Sequence, residues 1–194
     1  MKILVLSSPV WTNDNSFGNS FNNIFEGIPD IEIANIYCKY GKPETDLVSR
    51  FFQITEKSLL RNLKNRKVPS GQEVFVEKSE NTDIDEPKSA NLVRKKRWTF
   101  MYWARDFIWQ IGRWKSPELK SFIDDFKPDV IFQPIYYANH INRIAYFIKK
   151  YTGVPMYGYV SDDVYTLKQF SLSPLYWINR FLCRAKVKKV VKSY

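Results

Sequence analysis

Residues 126–163, FKPDVIFQPIYYANHINRIAYFIKKYTGVPMYGYVSDD, constrain the fold more tightly than any other stretch of the chain. Lys127-Pro128-Asp129 forms a turn signal ahead of the short apolar run Val130-Ile131-Phe132. Ile141, Ile144, Ala145 and Ile148 then recur at i, i+3, i+4, i+7, which places them on one face of a helix. Lys149 and Lys150 suit the negative end of that helix dipole, and Gly153 suits its left-handed stop. Pro155 bars continuation, so Met156 to Val160 reads as a second buried strand. Strand, helix and strand with such short connections require parallel pairing and a right-handed crossover. In open α/β sheets ligands bind beyond the carboxyl ends of the strands. Those ends deliver Gln133-Pro134 through His140, and then Ser161-Asp162-Asp163.

The preceding chain continues the alternation. Ile3-Leu4-Val5-Leu6 is an all-apolar run of the kind found in central parallel strands. A polar loop, residues 7–19, precedes Phe21, Ile24, Phe25 and Ile28, whose spacing predicts a helix beginning near Asn19 or Ser20. Gly27 and Pro29-Asp30 end it, and Ile31 to Tyr37 is a second strand. The loop around Gly18 either offers backbone N–H groups and a helix N-terminus to an anion or uses its glycine only to turn. Residues 46–63 have a helical pattern through Leu47, Phe51, Ile54, Leu59 and Leu63. Residues 65–87 form a charged, turn-rich excursion, with one short strand over Glu73 to Glu77. Residues 94–115 follow as an aromatic, basic helix. Ser116-Pro117 and Ser173-Pro174 each start a helix with Ser as N-cap and Pro in the first turn. Leu119, Phe122, Ile123 and Phe126 give the first of these its apolar face. Leu175, Ile178 and Leu182 are the expected buried face of the second, beside Arg180, Arg184, Lys186, Lys188, Lys189 and Lys192.

Composition narrows the function classes. The chain has 194 residues, enough for one sizeable α/β domain, and no apolar run reaches the ~18 residues of a membrane span. MKILVLSS turns polar too soon for a signal peptide, and two distant cysteines, Cys38 and Cys183, suggest neither a disulfide framework nor a zinc cluster. The expected setting is cytoplasmic and reduced. His140 is the only histidine, so any histidine-based catalysis rests on it. No metal site is expected, because Asp162 and Asp163 lack a third ligand. The net charge of +10 implies a negatively charged partner: nucleic acid, an anionic lipid surface or a phosphorylated substrate.

The order strand–loop–helix–strand, long insertion, helix, then KPDVI–helix–GVP–strand–DD resembles the N-terminal domain of a GT-B glycosyltransferase. The resemblance is to the retaining enzymes that build bacterial surface polysaccharides, and it is strongest over residues 1–23 and 127–163. It implies a Rossmann-like parallel sheet with helices on both faces, spanning 1–194 with a helical, charged insertion over about 44–115. In that family a second Rossmann-like half holds the nucleotide sugar. None follows Tyr194, so the expectation is an acceptor-side domain, inactive alone, without a cofactor of its own. Its partners would be a nucleotide-sugar donor and a glycan or lipid-linked acceptor. Ser16, Phe17, Gly18 and Asn19 match the family's glycine-containing loop near the donor diphosphate. Gln133, with Phe132 and Pro134, stands where a histidine cluster is usual, and Ser161-Asp162 replaces a His-Asp pair. Asn139, His140 and Asp163 complete the candidate cleft. His140 would hydrogen-bond an acceptor hydroxyl or a phosphate, or else serves as a capping residue. The paired aspartates would orient an acceptor hydroxyl or act as base, or else are first-turn acids of a following helix. No catalytic residue is assigned. The alternative is a non-catalytic Rossmann-like module for an anionic ligand or nucleic acid. No nucleic-acid motif is present, which argues against the latter.

One segment suggests a membrane. Arg94-Lys95-Lys96-Arg97 precedes Trp98 and a helix in which Phe100, Trp103, Phe107, Ile111 and Trp114 make a stripe. Cations beside Trp and Phe suit peripheral attachment to the inner face of an anionic bilayer. An aromatic helix is equally able to serve the core.

Overall fold

The computed structural model describes residues 1–75, 99–135, 138–160 and 172–192, with the backbone alone for 99–102. Its strands are β1 (Lys2–Ser7), β2 (Glu32–Tyr37), β3 (Arg50–Gln53), β4 (Gln72–Val74), β5 (Val130–Pro134) and β6 (Met156–Tyr159). They form a six-stranded sheet in the order β4-β3-β2-β1-β5-β6. All neighbours are parallel except the β3–β4 edge pair. The chain runs outward from β1 in one direction through β2 and β3, then in the other through β5 and β6. The sheet therefore reverses its order between β1 and β5, as in Rossmann-like folds.

The described helices are α1 (Ser16–Phe25), α2 (Glu56–Lys64), α3 (Thr99–Ile111), α4 (Pro117–Phe126), α5 (Asn139–Thr152) and α6 (Pro174–Val191). They cover both faces of the sheet. Alternation along β5 shows how one strand serves two cores. Ile131 joins Leu4, Leu6, Phe122, Ile144 and Ile148 under α4 and α5, whereas Val130 and Phe132 join Val5, Trp11, Phe21 and Phe25 under α1. Burial on both sides explains why the strand sequences read as continuous apolar runs.

Local chemistry ends the helices where the sequence indicates. The Ser116 hydroxyl accepts from the Leu119 N–H at 3.2 Å, with Pro117 in the first turn. At the end of α5, Gly153 takes a left-handed φ of 75° and its N–H returns to the Lys149 carbonyl. Lys149 and Lys150 occupy the last turn.

Four expectations change. The strand expected to be buried over Met156 to Val160 is the edge strand β6, in which Met156 is buried while Tyr157 is exposed, as is Val160 just beyond it. Residues 50–53 form a strand parallel to β2, so the helix over 46–63 is confined to α2. Phe51 and Phe52 point to opposite cores, a period of two that overrides the looser helical spacing. Helix α1 starts at Ser16, earlier than its apolar residues imply, because the Asn15 side chain caps it by accepting from the Gly18 N–H at 2.7 Å. The face of α6 is the reverse of the expected one. Arg180, Cys183, Val187 and Val190 are buried, and Leu175, Ile178 and Leu182 are exposed. Docking against α5 buries the seam that carries the smaller Cys183, Val187 and Val190 side chains. Among the described residues no helix is long and apolar enough to cross a membrane.

Candidate functional site

A pocket of about 580 Å3 opens at the carboxyl edge of the sheet, beside the point where strand order reverses. Ser8 and Pro9 follow β1, Lys39 follows β2, Pro134 ends β5 and Tyr159 ends β6; all line it. The first turn of α1 closes one side with Asn15, Ser16, Phe17 and Ser20. With Phe21, this lining combines hydroxyls and an amide with three aromatic rings and one cation. Phe17 lies 4.3 Å from Phe21, centroid to centroid, and Phe21 makes an edge contact with Tyr159 at 6.1 Å. Trp11 is fully buried behind them, and its indole N–H donates to the Asn22 Oδ1 at 2.8 Å. The aromatic wall is therefore held by a core, while Asn15 is occupied in capping. Among the described residues the Ser16 and Phe17 N–H groups have no acceptor, as expected at a helix start, and they add positive character beside Lys39.

A second polar group lies on the opposite face of the sheet. Gln133 follows the alternation of β5 toward α5, where its Nε2 donates to the Asn142 Oδ1 at 2.8 Å. Asn139 and His140 sit in the first turn of α5, and the Asn139 Nδ2 donates to the Asp106 Oδ2 at 2.8 Å. His140 stacks on Trp109 with ring centroids 4.4 Å apart. All three are buried, yet the Gln133 Oε1, the Asn139 Oδ1 and the His140 Nδ1 have no hydrogen-bond partner among the described residues. A buried polar atom left unpaired costs about 1–3 kcal/mol, so these atoms call for a hydrogen-bonding guest or ordered water. The two amide oxygens specify donors such as hydroxyl or water.

Burial, reinforced by the charges of Arg105, Lys39 and Arg143, brings the His140 pKa down to about 3. The ring is neutral at pH 7. It can orient a hydroxyl, but it supplies no cation for a phosphate and is too weak a base for proton transfer near neutrality.

The expected cleft residues thus fall into distinct groups. Ser16 and Phe17 line the pocket; Gln133, Asn139 and His140 are each buried away from it, against Asn142, Asp106 and Trp109 respectively. Gly18 and Asn19 line neither. Asn19 is exposed, and the Gly18 N–H is already taken by Asn15, so it cannot serve a donor phosphate. The glycine is required for packing instead: a Cβ there would fall on the Thr12 carbonyl oxygen, far inside van der Waals contact. Ser161, Asp162 and Asp163 lie outside the described residues, as do Arg94, Lys95, Lys96, Arg97 and Trp98. Of the aromatic stripe, Trp103, Phe107 and Ile111 are exposed at 39%, 59% and 46%. Trp114 is corrected: it is 4% exposed and packs edge-on against Phe147, so it does not reach a bilayer.

Sequence reasoning missed Lys39, Tyr159, Ser8 and Trp109. The first three were findable as residues at or just beyond predicted strand ends. The stacking of Trp109 on His140 joins α3 to α5 across 31 positions and has no local signal. Among the described residues, no cluster of His, Cys, Asp and Glu could hold a metal ion. The sequence matches no protein family model and no curated protein.

Proposed function

We propose that the chain is the acceptor-side half of a glycosyltransferase of GT-B architecture, receiving a glycan or lipid-linked acceptor opposite a nucleotide-sugar donor. The observation that carries this reading is the pocket at the strand-order reversal, with Phe17 and Tyr159 beside Ser8, Ser16 and Ser20. A sugar presents C–H faces that pack on aromatic rings and hydroxyls that exchange hydrogen bonds with serine and amide groups. Its volume suits one or two sugar rings and falls within the usual range for small-ligand sites. The donor nucleotide would be held mainly by a second Rossmann-like unit. The exposed Trp103, Phe107 and Ile111 support peripheral contact with an anionic membrane, where a lipid-linked acceptor would reside.

Saturation-transfer NMR with methyl glycosides tests the pocket. Saturation by the wild type and its loss in Ser16→Trp, which fills the cavity from an exposed position, support the reading. Micromolar binding of a UDP- or GDP-sugar to this chain alone, by calorimetry, contradicts it. Lys39 and the unpaired helix N–H groups favour a second reading, a module for a small anion. Pyrophosphate binding that is abolished by Lys39→Ala, with no glycoside signal, would select that alternative.

A further inference from the structure

Away from the strand-end pocket, two cavities lie side by side along α5 and share Trp114, Lys115 and Arg143. The first, about 420 Å3, runs between α5 and α6 and adds Lys150, Lys186 and Lys189. The second, about 620 Å3, continues past the start of α4 toward the α2–β4 loop and adds Arg66, Lys67 and Arg113. Together they form a furrow with eight cationic side chains, and Glu118 is the one carboxylate among the described residues lining it.

Lys115, Arg143 and Lys189 are held in place without being neutralised. Among the described residues, Lys115, Arg143, Lys150, Lys186 and Lys189 form no salt bridge. Aromatic faces support three of them: the Lys189 Nζ lies 4.5 Å from the Tyr146 ring centroid, and Lys115 lies 5.3 Å and 5.2 Å from Trp114 and Phe147. Arg143 lies 5.8 Å from the Trp114 centroid and donates to the Trp109 carbonyl at 3.2 Å, which fixes its guanidinium. A ring face orients a cation yet leaves its full charge available to an anion. Lys186 and Lys189, one turn apart, flank the buried Val187 and Val190, so the packing of α6 on α5 sets the width of the furrow. Such a single-sign concavity concentrates anions, and guanidinium and ammonium groups match phosphate oxygens through charge-assisted hydrogen bonds. The shared residues make the two cavities continuous, giving room for more than one phosphate group.

We propose that this furrow is a binding site for a ligand presenting two or more phosphate groups, either a soluble polyphosphate ester or adjacent headgroups of an anionic bilayer. It shares no residue with the strand-end pocket, and it does not depend on the glycosyltransferase reading.

The test compares three proteins of verified thermal stability: wild type, Lys186→Glu/Lys189→Glu, and the equally charged control Lys42→Glu/Lys127→Glu. Each is titrated with tripolyphosphate, followed by amide NMR shifts, and separately with phosphatidylglycerol vesicles, followed by co-sedimentation. The expected result is saturable binding that the furrow variant weakens by about tenfold or more, from lost charge-assisted contacts. The control variant should stay within about twofold, because neither of its residues lines the furrow. Tripolyphosphate binding with this pattern identifies a soluble ligand; vesicle binding alone, with the same pattern, identifies headgroups. Absence of binding to both probes, or equal loss in both variants, overturns the proposal.

Discussion

His140→Phe should remove a large acid-sensitive contribution to the stability of this fold. The substitution keeps a ring against Trp109 and removes the titrating group. An unfolded histidine titrates near pH 6.5, whereas burial and the surrounding cations hold the native group at about 3. The unfolded chain therefore takes up a proton that the native chain refuses. Stability is fully present above pH 6.5 and is lost as pH falls toward the native value. Each pH unit in that window costs about 1.4 kcal/mol, so the loss at about pH 4.5 is about 2.7 kcal/mol. That is a large fraction of the ~5–15 kcal/mol that stabilises a typical domain. Urea unfolding of both proteins at about pH 7.5 and 4.5 measures the effect, with the wild type losing about 2.7 kcal/mol more than the variant. His140 is the only histidine, so its NMR signal needs no assignment, and no titration midpoint is expected above about pH 5. Parallel loss of stability in the two proteins, or a midpoint near 6.5, would refute the buried, neutral imidazole.

Gly18→Ala should destabilise the protein by about 1–3 kcal/mol, since its methyl group meets the Thr12 carbonyl; an unchanged urea midpoint would show that the loop yields freely. Burial, with a smaller contribution from Glu56, raises the Cys38 pKa well above its ordinary value, and Cys183 is also buried. Both thiols should ignore a disulfide reagent at pH 8 and react on unfolding; prompt reaction of the native protein would contradict the packing around them. Trp103→Ser/Phe107→Ser should reduce co-sedimentation with phosphatidylglycerol vesicles severalfold by removing apolar area from the exposed face of α3. Equal sedimentation of wild type and variant would count against that face as a membrane contact.

Much of the scaffold was legible because its signals are local. The turn at 127–129, the i, i+3, i+4, i+7 spacing in α5, and Gly153 followed by Pro155 lie within one βαβ unit, and each has a single steric reading. Where two periods compete, locality fails. Arg50-Phe51-Phe52-Gln53 satisfies a loose helical pattern, and only pairing with β2 turns it into a strand. The face of α6 fails for a related reason. Its sequence offers two apolar seams, and the surface of α5 selects the one through Cys183, Val187 and Val190.

By itself, then, the sequence determined the β1–α1–β2 and β5–α5–β6 units and their parallel strands, because backbone sterics and side-chain period act over neighbours. Only the tertiary structure decided which polar residues share a site. Side chains alternate across β5, so Gln133 goes with His140 on one face while Pro134 goes with Ser16 and Tyr159 on the other. Helix packing made His140 a buried neutral ring on Trp109, and it gathered cations from α5, α6, the α2–β4 loop and the connection between α3 and α4 into one furrow. Those outcomes depend on contacts between segments far apart in the chain, where desolvation and charge act through space.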